Sequence, residues 1–160
     1  MTLEIDGHAL VLEKYYDPNF DAPPSPTTVV NWRQCKEGVI YIGRGRGGNP
    51  TKWGNPFPLP KHPSEQDLVV CLLRYAWHVH DRRLYEDVHE DLAGKKLGCF
   101  CHPKRCHGDI LARIADAKNP RRELGKIIDE LRAELRVLVN KDLEVGVDPL
   151  VQSLVVSRAL

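Results

Sequence analysis

Residues 43–63 constrain this chain more than any other segment, because they contain five glycines and five prolines in 21 positions. Proline lacks the backbone N–H group that helices and sheets use, and glycine is costly inside either element. The segment is therefore predicted to be one long loop. Loops of this length in a compact domain are usually functional or disordered.

Regular elements are predicted on both sides of this loop from β-branched runs and from helical spacing of apolar residues. In chain order they are strands over 27–32 and 39–42, a helix over 64–81, a short helix around 84–92, a strand over 97–101 and a helix over 108–117. Ser64 and Asp67 match a capping box. Strands that alternate with helices predict an α/β fold, here a small Rossmann-like sheet in two or three layers.

The two ends of the chain differ from this middle part. Residues 1–26 are predicted to be an N-terminal extension with a strand or two and a proline-rich arm. Residues 119–160 carry an apolar stripe at helical spacing, and Asp148 with Pro149 marks the start of a second helix. The sequence thus predicts three regions: the extension, an α/β ligand-binding domain over 27–118, and a C-terminal helical hairpin.

Composition limits the class of protein. The 160 residues fit one domain with a small appendage, and no apolar run is long enough for a membrane span. The first residues lack the basic start and apolar core of a secretory signal, so none is expected. Five cysteines are an odd number for a disulfide framework. We therefore expect reduced thiols or metal ligands in a cytoplasm.

Charge is distributed in blocks, although the net charge is only +1. Residues 31–63 carry six bases and one acid, and residues 94–113 carry five bases and one acid. These two blocks contain the two most unusual loops of the chain, which favours an anionic ligand such as a phosphate or nucleotide. Solvated charged faces are the simpler alternative.

The first basic loop matches G-x-G-x-x-G at Gly43, Gly45 and Gly48. A dinucleotide-binding fingerprint needs a helix that opens at the third glycine. Here Asn49 and Pro50 follow instead, and the predicted helix starts much later in the chain. The pattern is therefore excluded as a Rossmann fingerprint.

The side chains of this loop that could contact a ligand are cationic, aromatic or amide groups. Arg44, Arg46 and Lys52 are predicted to hold phosphate, because their charged groups pair with its oxygens. Trp53 offers a face on which a base can stack, and Asn55 offers a donor and an acceptor to a base or sugar. The alternative is a glycine-rich surface loop with solvated arginines.

The second basic loop combines three cysteines with two histidines over residues 99–107. Cys99 and Cys101 lie two apart on a predicted strand and so share a face. Cys106 and His107 begin the next helix. This order can supply four ligands to a tetrahedral metal, so zinc is the cofactor that it would suit. The spacing nevertheless differs from the usual pair of separated zinc knuckles.

Cys106 is also the candidate nucleophile. A cysteine at a helix N-terminus meets the positive end of the helix dipole, and Lys104 and Arg105 add positive charge, so its thiolate is favoured. His107, or His102 across the short loop, would act as the base. On this hypothesis the chain would be a Cys106-dependent hydrolase or a glycosyl or acyl transferase.

The same groups suit an anion pocket without covalent chemistry. Free amides over residues 106–109 would bind a phosphate, His107 would donate to the ligand, and Cys101 and His102 would line the pocket. In the simplest alternative, the cysteines are small buried apolar residues and His107 bonds a backbone carbonyl. All of these alternatives stay open from the sequence.

These motifs resemble a domain family of unknown function found in bacteria and their phages. Its signature is G-R after a strand, W-G-N-P-F, a helix, C-x-C-x-P and C-H-G-D. In this chain the signature lies within residues of about 28–116, at residues 43–44, 53–57, 99–103 and 106–109. The C-H turn also resembles a second uncharacterised α/β family, which has a glutamate where Cys101 stands. A position that accepts either residue suits a pocket group better than a fixed zinc ligand.

The last part of the chain, from about residue 120 to 160, is similar to the small helical-hairpin phosphatases of sporulation response regulators. Their signature ends S-Q-x-L-D, whereas this chain ends with Ser157, Arg158, Ala159 and Leu160. The glutamine and the final aspartate are thus absent. The tail is therefore expected to be a packing or dimerisation hairpin.

Together these patterns predict binding of a nucleotide or nucleotide-derived anion between the loop of residues 43–63 and residues 99–109. The chain would be a phage accessory or anti-defence protein in the host cytoplasm. The alternatives are a zinc-stabilised module that binds nucleic acid or protein, and the Cys106-dependent enzyme. The expected protein partners are a host protein that binds the hairpin and a second copy of this chain, and no association with a membrane is expected.

Overall fold

A computed structural model describes residues 4–5, 8–9, 25–45 and 51–144 of this chain, and for residues 4–5, 8–9 and 142–144 it describes the backbone alone. Near the N-terminus, strands β1 (Glu4–Ile5) and β2 (His8–Ala9) pair antiparallel. Strands were predicted in this part of the chain, and both are only two residues long. Most of the predicted proline-rich arm lies outside the described residues.

The main sheet has three parallel strands in the order β3, β5, β4. Their bounds are Thr28–Asn31 for β3, Val39–Tyr41 for β4 and Lys96–Cys99 for β5. The predicted α/β class is confirmed, whereas the Rossmann-like assignment stays a prediction. β5 ends at Cys99, two residues before the predicted end, because the chain turns at Phe100. Since all three strands are parallel, their carboxyl ends meet at one edge of the sheet.

The helices follow the predicted order. They are α1 (Glu65–Asp81), a 3-10 turn (Leu84–Glu86), α2 (Val88–Leu92), α3 (His107–Ala115) and α4 (Pro120–Glu144). The predicted capping box is confirmed, because the Ser64 side chain accepts from the Asp67 amide at 3.0 Å and Asp67 accepts from the Ser64 amide at 2.9 Å. None of the helices in the described residues combines the length and apolar character needed to cross a membrane.

The long helix α4 shares its core with the rest of the fold. It packs against α1 and α3, and its buried residues belong to the same apolar cluster as Leu97 of β5 and Leu111 of α3. These residues of α4 are Leu124, Ile127, Ile128, Leu131, Leu135 and Val139. The predicted boundary at residue 118 therefore separates segments with a common core. The predicted second helix of the hairpin lies outside the described residues.

Two glycines mark close approaches to the sheet. A Cβ atom on Gly98 would lie 2.6 Å from the Trp32 ring and 2.8 Å from the Val39 side chain. A Cβ atom on Gly108 would lie 2.9 Å from the Ile42 side chain. The segment after β3 therefore covers one face of the sheet at β5, and the first turn of α3 packs directly against β3 and the end of β4.

Gly98→Ala is expected to lower the free energy of unfolding by about 1–3 kcal/mol, because the added methyl group must displace Trp32 or the strand. Urea denaturation followed by tryptophan fluorescence measures this loss. Gly125→Ala in α4 is the matched control, since a Cβ atom there has nothing within 4 Å. It is expected to be neutral or to stabilise by up to about 1 kcal/mol. Equal losses in both variants would contradict the packing described at Gly98.

A chain that ends at residue 118 is expected to lose its cooperative thermal transition, because removal of α4 exposes the apolar side chains of α1 and α3 to water. Circular dichroism melting of the shortened and full chains checks this expectation. A sharp transition in the shortened chain would instead support a domain boundary at residue 118.

Candidate functional site

The candidate site lies at the carboxyl edge of the parallel sheet, where three strands deliver their last residues. β3 ends at Asn31 and β5 at Cys99, and Ile42 follows β4. Helix α3 begins at the same edge with His107, directly after its N-cap residue Cys106. Ligands of open α/β sheets usually bind at this edge.

Two thiols and one imidazole converge here inside the protein. The Sγ atoms of Cys99 and Cys106 and a ring nitrogen of His107 all lie within 4.8 Å of one another. The three residues are 3%, 4% and 6% exposed. Donor atoms around a tetrahedral zinc ion are about 3.8 Å apart when Zn–S bonds are about 2.3 Å long. Small side-chain movements would therefore bring these three donors into a metal-binding geometry.

The orientation of His107 is set by a backbone carbonyl. Its Nε2 atom lies 2.9 Å from the carbonyl oxygen of Ile42, which can only accept, so Nε2 carries the hydrogen. The neutral ring then has its lone pair on Nδ1. Burial lowers the pKa of His107, which favours this neutral form. A histidine that donates one ring N–H to a carbonyl and keeps the other nitrogen free is the usual arrangement of a metal ligand.

Backbone amides also point at the two buried sulfur atoms. The amide of Cys101 lies 3.5 Å from Cys99 Sγ, and the amide of Gly108 lies 3.4 Å from Cys106 Sγ. Hydrogen bonds from amides stabilise the negative charge of a thiolate. Each buried sulfur atom therefore has one backbone amide that would stabilise its thiolate form.

Cys101 is the exposed thiol of this group. Hydrogen bonds from Cys106 and Cys99 lower the pKa of Cys101 well below its ordinary value, and the positive charge of Arg44 acts in the same direction. The hydrogen bonds that Cys106 gives, together with its burial, raise its own pKa. The directions of these two shifts differ from the expected lowering of the Cys106 pKa, and they favour negative charge on Cys101 instead.

The N-terminus of α3 is occupied by its own side chains. The amide of Cys106 donates to the Asp109 carboxylate at 2.8 Å, and the amide of Gly108 faces Cys106 Sγ. The expected free amides of an anion site are thus largely engaged, and a carboxylate stands where a phosphate would bind. The simpler expectation for His107, a hydrogen bond to a backbone carbonyl, agrees with the contact at Ile42.

The turn between Cys99 and Cys106 is held from two sides. Asn31 donates through its side-chain amide to the carbonyl of His102 at 2.6 Å. Arg105 forms a bidentate ion pair with Glu134 of α4, at 2.6 and 2.9 Å. Arg105 was predicted to act on the Cys106 thiol, but its guanidinium group is neutralised by this carboxylate. These contacts fix the segment that carries Cys101.

Lys52 is not free to hold a phosphate in this structure. Its ammonium group donates to Asp87 at 2.8 Å and to Asp91 at 2.7 Å, and it stands 4.8 Å from the centre of the Trp53 ring. Two carboxylates neutralise its single charge. The side chain therefore attaches the loop to the region of α2.

Trp53 and Asn55 were predicted to contact a base, but both anchor the loop to α1. Trp53 is only 5% exposed, and its carbonyl accepts a hydrogen bond from Tyr75 at 2.7 Å. The Asn55 side chain donates to Cys71 Sγ at 3.3 Å and accepts from the amide of Phe57 at 2.9 Å. A buried ring offers no open face for stacking, so the W-G-N-P-F motif is mainly structural here.

Arg44 is exposed, as Lys52 is, but it forms no ion pair with a carboxylate of the described residues. Its Nε atom donates to the carbonyl of Asn55 at 3.3 Å, and its own carbonyl accepts from the Tyr41 hydroxyl at 2.7 Å. The guanidinium group lies near enough to Cys101 to lower the pKa of that thiol. Arg46 lies outside the described residues.

A partly exposed group of aromatic residues, which the sequence did not predict, borders the thiols. We name Trp32, Tyr41 and Phe100 the aromatic platform. The centroids of Trp32 and Tyr41 are 4.8 Å apart, and those of Tyr41 and Phe100 are 5.9 Å apart. Phe100 is 49% exposed, and the Arg33 guanidinium lies 5.4 Å from its ring centre. Phe100 could have been found from its position between two cysteines predicted to point inward.

Comparison with known proteins gives a family without an assigned reaction. The family model described as a domain of unknown function, DUF4326, matches residues 28–117. An uncharacterized 12.4 kDa protein in the nrdA-td intergenic region of Enterobacteria phage T4 is 59% identical over 77 residues, which are 48% of this chain and 67% of the phage protein. No solved structure matches this chain. The expected bacterial or phage family is thereby supported, whereas the similarity of the tail to phosphatases stays a prediction.

In chelator-treated protein, Cys101 is expected to be the first cysteine that iodoacetamide alkylates. Because its pKa is lowered, its rate should change little between about pH 6 and 8, whereas an ordinary thiol gains about tenfold per pH unit below its pKa. Peptide mass spectrometry of time points identifies the modified residue. Cys101→Ser should remove the fast phase of alkylation, and the control variant Cys71→Ser should retain it. Preferential modification of Cys106 would contradict this assignment.

Proposed function

This chain belongs to the family described as a domain of unknown function, DUF4326, and we propose that it is a zinc-stabilised module. Cys99, Cys106 and His107 would hold the metal, and Cys101 would be the fourth ligand. The observation that carries the proposal is the convergence of three buried donor atoms within 4.8 Å of one another. The oriented imidazole of His107 adds to it.

The chemistry of the donors favours zinc over harder cations. Thiolate and imidazole ligands select zinc and similar transition metals, whereas magnesium and calcium prefer oxygen. Two adjacent buried thiolates repel each other unless a cation lies between them. A bound zinc ion would remove this repulsion, and the amide contacts at both sulfur atoms support the charged form of the ligands.

The metal would connect the ends of regular elements that meet at the carboxyl edge of the sheet. Cys99 ends β5, Cys106 and His107 start α3, and His107 is bonded to the residue that follows β4. With Cys101 as a ligand the site would be closed and structural. With water in that position it would be an open site of the catalytic type.

Binding of a nucleotide-derived anion is a second candidate function. Its support is Arg44, an exposed guanidinium group beside Cys101 at the sheet edge where ligands of Rossmann-like folds bind. Lys52, Trp53 and Asn55 would contribute only after leaving their present partners. A role as a phage accessory protein in the host cytoplasm belongs to the same proposal, since the relative described above is a phage protein.

Native mass spectrometry of the full chain, purified without chelator, is expected to find one zinc ion per chain. Cys99→Ser and Cys106→Ser should each lose the metal. Chelator should lower the melting temperature by about 10 °C, because a ligand present at a thousand times its Kd stabilises the fold by about 4 kcal/mol. Cobalt substitution should give the thiolate charge-transfer absorption of a tetrahedral site.

Cys71→Ser is the control, because Cys71 is also buried but lies against Asn55 and Phe57. It should retain zinc. The proposal fails if the wild-type chain from zinc-supplemented cells carries no metal and its melting temperature is unchanged by chelator or by added zinc.

A further inference from the structure

We propose that the aromatic platform, with the cations around it, is a binding surface for single-stranded nucleic acid. Bases would stack on Phe100, and Arg33, Arg44 and Lys104 would contact phosphates. The inference goes beyond the metal centre and stands on other residues. The two surfaces share only the turn of residues 99–106.

The exposure of Phe100 is the first support. About half of the Phe100 side chain is exposed to solvent, although its two neighbours in the chain are Cys99 and Cys101. The ring of Tyr41 packs against the Phe100 ring in an edge-to-face contact, at an interplanar angle of 76°. An aromatic ring that is half exposed and held by a neighbouring ring loses little conformational freedom when a base stacks on it. Base–aromatic stacking of this kind tolerates any sequence, since every base has a π-face.

Cations around the ring are the second support. The guanidinium group of Arg33 lies 5.4 Å from the centre of the Phe100 ring. The backbone carbonyl of Arg44 accepts a hydrogen bond from the Tyr41 hydroxyl. Lys104 lies in the same turn as Phe100, because its amide donates to the carbonyl of Cys101 at 2.8 Å. None of these three cations forms an ion pair with another described residue.

Three cations elsewhere in the fold differ from those around the platform. Lys52, Arg105 and Arg113 each pair with carboxylates at 2.6–2.8 Å. Carboxylates neutralise these three cations where they attach helices, whereas the three cations around the platform have no acidic partner among the described residues. Unpaired cations spaced about an exposed ring match a chain of phosphates with unstacked bases.

A single strand fits this surface better than a duplex or a protein. Bases inside a duplex are already stacked and cannot cover Phe100, so duplex DNA would use only the cations. A protein partner would favour exposed aromatic residues too, but three cations without acidic partners make an anionic polymer the better complement.

The test is fluorescence anisotropy of the full chain with a labelled single-stranded oligonucleotide of mixed sequence, about 16 nucleotides long, at low and moderate salt. Phe100→Ala is expected to weaken binding about tenfold, the loss of one base–aromatic stack. Arg33→Ala should weaken binding several-fold and reduce the slope of log K against log salt by about 1.

Two control variants match these changes in chemistry but not in position. Lys96→Ala removes an exposed cation at the opposite end of β5, and Val137→Ala truncates an exposed apolar residue of α4 that is 54% exposed. Both should bind the oligonucleotide within about twofold of the wild type. Melting temperatures of all four variants should agree, because every substituted side chain is exposed.

Three results would overturn the proposal. The first is no oligonucleotide binding by folded wild-type protein, which would leave the platform to a protein partner. The second is equal affinity for duplex and single strand with no effect of Phe100→Ala, which would indicate charge alone. The third is competition by a mononucleotide as strong as by the oligonucleotide, which would indicate a single-nucleotide site. The zinc content of the same samples reports separately on the metal centre.

Discussion

The parallel pairing of β5 with both of its neighbours is the constraint on which the rest of the structure depends. Because the three strands run in the same direction, Asn31, Ile42 and Cys99 arrive at one edge of the sheet. α3 then starts at that edge and adds Cys106 and His107. Donor groups from separate segments thereby converge without a disulfide among the described cysteines. The chemistry of the site is a direct result of strand direction.

The turn between Cys99 and Cys106 gives this edge two different surfaces. Its inner side presents thiols to His107, and its outer side presents Phe100 to solvent. The hydrogen bond from Asn31 and the ion pair of Arg105 with Glu134 hold the turn against β3 and α4. Supported in this way, the turn can keep both surfaces in place. A substitution in α4 that removes this ion pair would therefore alter the position of the turn at the sheet edge, although α4 contributes no residue to the cluster of Cys99, Cys101, Cys106 and His107.

The loop after β4 shows why rare sequence motifs do not by themselves identify a binding site. Trp53, Asn55 and Lys52 have the chemistry of ligand contacts, yet all three are engaged by α1 or by carboxylates near α2. A long loop without regular structure must satisfy its polar groups through side chains, and amphipathic residues suit that task. Arg44 keeps its charged group at the surface, and so remains available to a ligand.

Local patterns in the sequence determined the type and order of the elements, the capping box at Ser64, and the presence of thiols and an imidazole in one short segment. These features depend on neighbours within a few residues, so periodicity and spacing are sufficient to predict them. Tertiary structure alone decided that the pKa of Cys101 is lowered while that of Cys106 is raised, that Asp87 and Asp91 neutralise Lys52, and that Trp32, Tyr41 and Phe100 meet. The physical reason is that burial, ion pairing and stacking join residues far apart in the chain, and those partners exist only once the parallel sheet has formed.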